Sequence, residues 1–118
     1  MCALKGDLAL NQLAAKRRSF APVFAALGDP TRLSLVARLC DGRPCSIAQM
    51  TQGTQLTRQA VTKHLRVLEQ ARLVRSARTG RESLFELNPQ PIEDANKYLR
   101  VVSEQWDRAL ENLRAFVE

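Results

Sequence analysis

Gln59, Thr62, Lys63, Arg66 and Gln70 are spaced so that they share one arc of a helix at about 100° per residue. Arg58 opens the same stretch. Their amide, hydroxyl, ammonium and guanidinium groups are the kind that meet base edges and phosphates in a major groove. The arc holds no carboxylate, whereas an ordinary solvated helix face mixes signs at i, i+4. Ala60, Val61, His64, Leu65, Val67, Leu68 and Ala71 fall on the opposite arc. A helix of this kind can bury one face in a core and lay the other along a nucleic-acid groove.

Such a helix must be held, and its neighbours carry explicit boundary signals. Thr57 is its predicted N-cap, with Leu56 placed to staple onto Val61. Upstream, Ser46 and Gln49 match the capping box S-x-x-Q, starting a helix at Ile47 that ends near Gly53. Two short helices joined by a Gly-containing turn, the second one basic, make a helix-turn-helix over about residues 46–70. Residues 73–87 read as a β-hairpin with its turn at Thr79-Gly80. In its second strand Glu82, Leu84 and Glu86 face one way and Ser83, Phe85 and Leu87 the other. Arg78 and Arg81 flank the tip, which makes the hairpin a wing. The predicted DNA-contacting set is Thr57, Arg58, Gln59, Thr62, Lys63, Arg66, Arg78 and Arg81.

The charge distribution agrees. The 118 residues carry 18 Lys+Arg against 12 Asp+Glu, a net charge of +6. Between Leu56 and Arg81 stand seven cations and one anion, Glu69, so this segment holds an excess equal to that of the whole chain. From Pro89 to Glu118 four cations face six anions. A concentrated basic segment beside an acidic one reads as a phosphate-binding surface. Aromatics are only 5% and none lies in the basic segment, which argues against base stacking on RNA or single strands. The longest apolar stretch, Phe20–Leu27, is too short to span a bilayer, and no membrane partner is expected. Residues 1–10 show no secretory signal, and three cysteines fit a reducing, cytoplasmic compartment.

The remaining elements frame this centre. Residues 4–27 read as weakly helical, with an interruption at Lys16-Arg17-Arg18. Asp29-Pro30 starts a helix to Cys40, with Leu33, Val36, Ala37 and Cys40 as its apolar stripe, Leu35 and Leu39 beside them, and only Ser34, Arg38 and Asp41 as a polar strip, so it is expected to lie centrally in the core. Residues 89–117 form a last helix whose apolar positions Ile92, Ala95, Leu99, Val102, Trp106, Ala109, Leu113 and Phe116 keep an unbroken heptad. At 1.5 Å per residue it spans roughly 40 Å, more than a core this small can cover. A homodimer is expected through Leu99, Val102, Trp106 and Leu113, with help from residues 4–20. The fold class predicted for residues 1–118, as a single domain, is mainly α with a small β-hairpin: a winged helix-turn-helix with a long C-terminal dimerisation helix.

The segments Phe24–Leu33 (FAALGDPTRL), Leu56–Leu68 (LTRQAVTKHLRVL) and Ala71–Val74 (ARLV) resemble the ArsR/SmtB-type winged helix-turn-helix repressors. The resemblance covers roughly residues 20–117 in the family's order. It implies a homodimer on a two-fold symmetric, inverted-repeat operator in double-stranded DNA, released when an inducer binds. It also assigns Thr57–Lys63 to the DNA-reading part of the recognition helix and Arg78–Arg81 to the wing tip. Arg72 stands where relatives often have Gly, which would strain a left-handed backbone. The family's thiolate metal motif would fall on Ser46 and Ala48, and no His follows His64. The resemblance is therefore to a metal-independent branch, with no metal and no cofactor expected.

Two other readings stand beside this one. A winged-helix protein-interaction module would use the same frame, but its outer helix face should carry mixed charge or apolar patches. A thiol-redox-sensing repressor would use Cys40 and Cys45, which flank Asp41-Gly-Arg-Pro44; Cys2 is a weaker candidate. No nucleophile–base pair, paired carboxylates, phosphate loop or HExxH pattern occurs, so no enzyme is expected. His64, the one histidine, is expected at the core edge with one hydrogen bond, and Cys40 within the core.

Overall fold

The computed structural model describes the backbone of residues 2–117 and the side chains of Gln12 and residues 14–117. Its elements run α1 (Cys2–Leu27), α2 (Pro30–Leu39), β1 (Cys45–Ser46), α3 (Ile47–Thr51), α4 (Arg58–Gln70), β2 (Val74–Thr79), β3 (Glu82–Leu87) and α5 (Gln90–Val117). The three strands form one antiparallel sheet in the order β1-β3-β2. This is the mainly helical winged architecture expected; the expectations for Cys2 and for the side chains of residues 4–11 and 13 fall outside the described residues.

The helix starts follow from local hydrogen bonding. Asp29 has extended backbone (φ −142°), its Oδ2 accepts from the Arg32 N–H at 2.9 Å, and Pro30 occupies the first turn without needing an N–H. The Arg32 backbone N–H, with the Arg32 guanidinium charge behind it, holds the Asp29 carboxyl below its ordinary range. This cap is charged at neutral pH, and its contribution is lost only as pH falls through that lowered value. Ser46 and Gln49 complete a reciprocal capping box at α3, with bonds of 3.2 and 2.9 Å. Thr57 caps α4 by accepting from the Ala60 N–H at 3.1 Å.

At the other end of α4, Leu73 N–H donates to the Leu68 carbonyl and Arg72 N–H to the Glu69 carbonyl, both at 2.9 Å. This is a Schellman stop with Arg72 at its left-handed position, φ 63°. An arginine there costs about 1 kcal/mol relative to glycine.

A single core joins the elements. Leu35, Leu39, Met50, Val61, Leu65, Leu68, Leu73 and Val74 are fully buried, with Val23 and Ala26 from α1, Phe85 from β3 and Ala95 from α5 around them. Three expectations are corrected. First, α1 runs unbroken through Lys16-Arg17-Arg18 and contains Pro22. These cations are exposed good helix formers, and Phe20, Val23, Phe24 and Ala26 packing on the core hold the last turns together. Second, α2 buries Leu35, Val36 and Leu39, whereas Leu33, Ala37 and Cys40 are exposed and Cys40 is the C-cap. Apolar residues surround α2 on several sides, so only the positions of its neighbours α1, α4 and β3 choose the buried face. Third, β1 was not foreseen: two residues are too short to show alternation, and they pair because β3 offers an open edge at Leu84 and Phe85.

Arg38, expected only to face solvent, closes the C-terminus of α3. Its guanidinium donates to the carbonyls of Met50 (2.9 Å), Gln52 (2.8 Å) and Gln49 (3.3 Å). A five-residue helix has too few internal bonds to stand alone. Arg38→Met is therefore expected to lower the unfolding free energy by about 1–2 kcal/mol in urea titration, with Arg38→Lys recovering part of it.

Candidate nucleic-acid interface

The turn between α3 and α4 is held by side-chain hydroxyls. Thr54 Oγ1 donates to the Thr51 carbonyl at 2.7 Å and accepts from the Leu56 N–H at 3.3 Å. Gly53 sits at φ +76°, and a Cβ there would meet the Arg38 guanidinium at 3.4 Å. Half-buried Leu56 then packs against the core, and α4 leaves the turn with Val61, Leu65 and Leu68 inward.

The other end of the support is Arg32. Its Nε donates to the Ala26 carbonyl at 2.6 Å, its Nη2 to Ala25 at 3.4 Å, and its Nη1 to His64 Nδ1 at 3.4 Å. Because a guanidinium only donates, Nδ1 is the acceptor in that last bond. Asp29 Oδ2 lies 3.9 Å from the same nitrogen. One side chain thus ties the last carbonyls of α1 and the start of α2 to the middle of α4. The expected core-edge histidine is this half-buried joint.

The face of α4 turned away from the core exposes Arg58, Gln59, Lys63 and Arg66, with Thr57 at its head. Thr62 is half-buried, and its hydroxyl donates to the Arg58 carbonyl at 2.7 Å. The oxygen lone pairs remain, so Thr62 meets a groove as an acceptor or through its methyl group. Glu69, the single acid of the helix, accepts from Ser76 Oγ at 2.6 Å and is thereby drawn to β2. Arg75 pairs with Glu86 directly across the hairpin at 3.0 Å, so its charge is already partnered. Arg58, Lys63, Arg66, Arg78 and Arg81 form no ion pair among the described residues.

The hairpin reverses through Gly80-Arg81 between paired Thr79 and Glu82, with Gly80 at φ +65°. Arg81 is therefore in the turn itself, one residue later than the spacing suggested. It returns toward α4: Arg58, Thr62 and Arg81 line one cleft with Ser46, Ile47, Ala48, Ser83 and one acid, Glu82. The expected contact residues from helix and wing meet here, while Arg66 lies further along α4 and Arg78 on the outer strand. The start of α3 in this wall was not singled out for contact, although its capping box marked the position.

On α5 the heptad divides. Ile92 and Ala95 belong to the chain's own core, whereas Leu99, Trp106 and Leu113 are 48%, 66% and 60% exposed and Val102 is half-buried. Leu110 and Phe116 extend this open apolar face. Cys40 and Cys45 are both free thiols, the first exposed and the second half-buried in β1 with Sγ 3.7 Å from the Arg43 carbonyl. Among the described residues, no group of three or more His, Cys, Asp or Glu side chains is gathered in a way that could hold a metal ion. No described helix is long and apolar enough to cross a membrane.

A helix-turn-helix domain family matches residues 27–77. The uncharacterised HTH-type transcriptional regulator YuzN of Bacillus subtilis is 35% identical over 81 residues, covering 64% of this chain and 88% of the relative. The HTH-type transcriptional regulator Rv2034 of Mycobacterium tuberculosis is 34% identical over 85 residues, covering 72% of this chain and 76% of the relative. Among solved structures, an ArsR-like transcriptional regulator from Rhodococcus sp. RHA1 superposes with a TM-score of 0.76 at 29% identity, covering 88% of this chain and 97% of that one.

Proposed function

The chain belongs to the ArsR/SmtB family of winged helix-turn-helix transcriptional regulators, and from that premise we propose that it is a homodimeric repressor of an inverted-repeat operator. Thr57, Arg58, Gln59, Thr62, Lys63 and Arg66 enter the major groove on α4, and Arg78 and Arg81 take backbone phosphates beside it. The observation that carries this reading is the exposed, carboxylate-free face of α4, continuous through the Arg58–Thr62–Arg81 cleft with the tip of the wing. A protein-interaction module would instead show mixed charge or apolar surface there. The protein acts in the cytoplasm, carries out no catalysis, and is released without a resident metal, since the family's thiolate positions hold Ser46 and Ala48.

Sequencing of genomic fragments retained by the purified protein tests this. The expected result is an inverted repeat whose half-site centres lie about 34–36 Å apart, or a multiple of that distance. Retained fragments with no common sequence would defeat it.

A further inference from the structure

Arg72 is the one non-glycine residue at positive φ among the described residues. Its backbone work, the Schellman bonds and the Asn88 side-chain amide donating to its carbonyl at 3.1 Å, would suit glycine without strain. Its guanidinium makes no hydrogen bond or ion pair with any described side chain or carbonyl. A strained position occupied by a long cationic side chain points to a use for that side chain.

Arg72 lines a cleft of about 490 Å³ formed where α1, the end of α4 and the start of α5 converge. That volume falls within the roughly 300–1,000 Å³ of small-molecule sites. Phe20 and Val23 of α1 give it an apolar wall, and Gln70 and Asn88 line it as well. The acid in the lining, Asp94, already accepts from Gln90 Nε2 at 2.9 Å.

The cleft is clear of the DNA-reading face and of the open heptad face of α5, while Ser19 and Phe20 in its wall are the last residues of the segment 4–20 expected to support the dimer. Asp94 lies roughly 140° around α5 from Leu99 at about 100° per residue, away from the open heptad face. Arg72 stands beyond the far end of α4 from Arg58, about 20 Å away at 1.5 Å per residue.

We propose that this cleft binds a small organic monocarboxylate with an apolar body. The carboxylate sits on the Arg72 guanidinium, a bidentate match, and the body lies against Phe20 and Val23. Occupancy shifts the end of α4 against the start of α5 and so changes operator affinity; this last step alone rests on the reading of α4 as the DNA-contacting helix.

Nitrogen-15-labelled full-length protein titrated with benzoate to about 10 mM tests the site, with benzamide and inorganic phosphate as comparisons. The backbone amides of Arg72, Asn88 and Gln90 should shift saturably with benzoate, and the comparisons should bind at least about tenfold more weakly. Arg72→Gly, which relieves the left-handed strain and so folds at least as well, should lose about 10–100-fold in benzoate affinity, with Arg72→Lys between. No saturable shifts, equal binding by Arg72→Gly, or equal binding of phosphate would overturn the site. Operator binding is measured separately: saturating benzoate should change it in the wild type and not in Arg72→Gly. Unchanged affinity in both would overturn the regulatory step. Because the titration uses no DNA, a failure of the DNA-binding reading would show only in the second measurement.

Discussion

A Trp106→Asp variant is expected to be a monomer at micromolar concentration and to lose about 10²–10⁴-fold in operator affinity. Trp106 is 66% exposed in the single protomer, between the exposed Leu99, Leu110 and Leu113. A second copy laying the same face against it covers all four. Two-fold symmetry then places one new carboxylate near its own counterpart, so each mutation buries an unpaired charge beside a like one. The loss on DNA follows from geometry: a monomer must find each half-site separately and forfeits the effective concentration that linkage supplies. Trp106 is the only tryptophan, so the wild-type emission maximum should move to shorter wavelength as protein concentration rises through dimerisation. Light scattering measures the mass and fluorescence anisotropy the DNA affinity. The helical circular dichroism of the variant should persist, because the side chain supports no intramolecular core. A monomer mass for the wild type, or full operator affinity in the variant, would sink the assignment.

The second large effect separates reading from holding. Gln59→Ala should lose about 1–3 kcal/mol on the preferred operator and relax the preference at one base pair, because an amide that pairs with a base edge has no substitute in a methyl group. Lys63→Ala, on the same exposed face, should shrink the footprint on the operator. Arg78→Ala or Arg81→Ala should instead weaken all sequences alike, each reducing the slope of log affinity against log salt by about one unit. The distinction arises from position. Gln59 stands in the first turn of α4, whereas Arg78 lies near the end of β2 and Arg81 in the hairpin turn. Arg75→Ala should leave the salt slope nearly unchanged, since its charge is already paired with Glu86 at 3.0 Å. Unchanged footprints for both Gln59→Ala and Lys63→Ala would remove α4 from the groove.

What could be read without coordinates was what depends on a few neighbouring residues. Asp29, Ser46 and Thr57 announce helix starts because an N-cap needs only a short side-chain oxygen and a backbone N–H two or three residues on. The wing is legible from period-two alternation and a glycine turn, and the α5 heptad from spacing alone. The strain at Arg72 was suggested only by the glycine that the resembled family often carries there, and the positive φ bears it out. The carboxylate-free face of α4 needed only the helical repeat, and it is the part of the candidate interface that the sequence made plain.

What required the tertiary structure was every choice among equivalents. Apolar side chains ring α2, so burial of Leu35 and Leu39 rather than Leu33 and Cys40 depends on where α1, α4 and β3 lie. β1 exists because β3 has an edge to offer, and a two-residue strand has no signature of its own. Arg32 and Arg38 look like ordinary surface cations until α1, α3 and α4 bring backbone carbonyls and His64 within reach of their guanidinium groups. Arg81 joins Arg58 and Thr62 only after the hairpin folds back on α4. Hydrogen bonds that close within four residues are determined by the order of residue types. Contacts between distant segments depend on which apolar surfaces meet first and on the backbone edges they leave open, and this chain's order of residues does not specify those by itself.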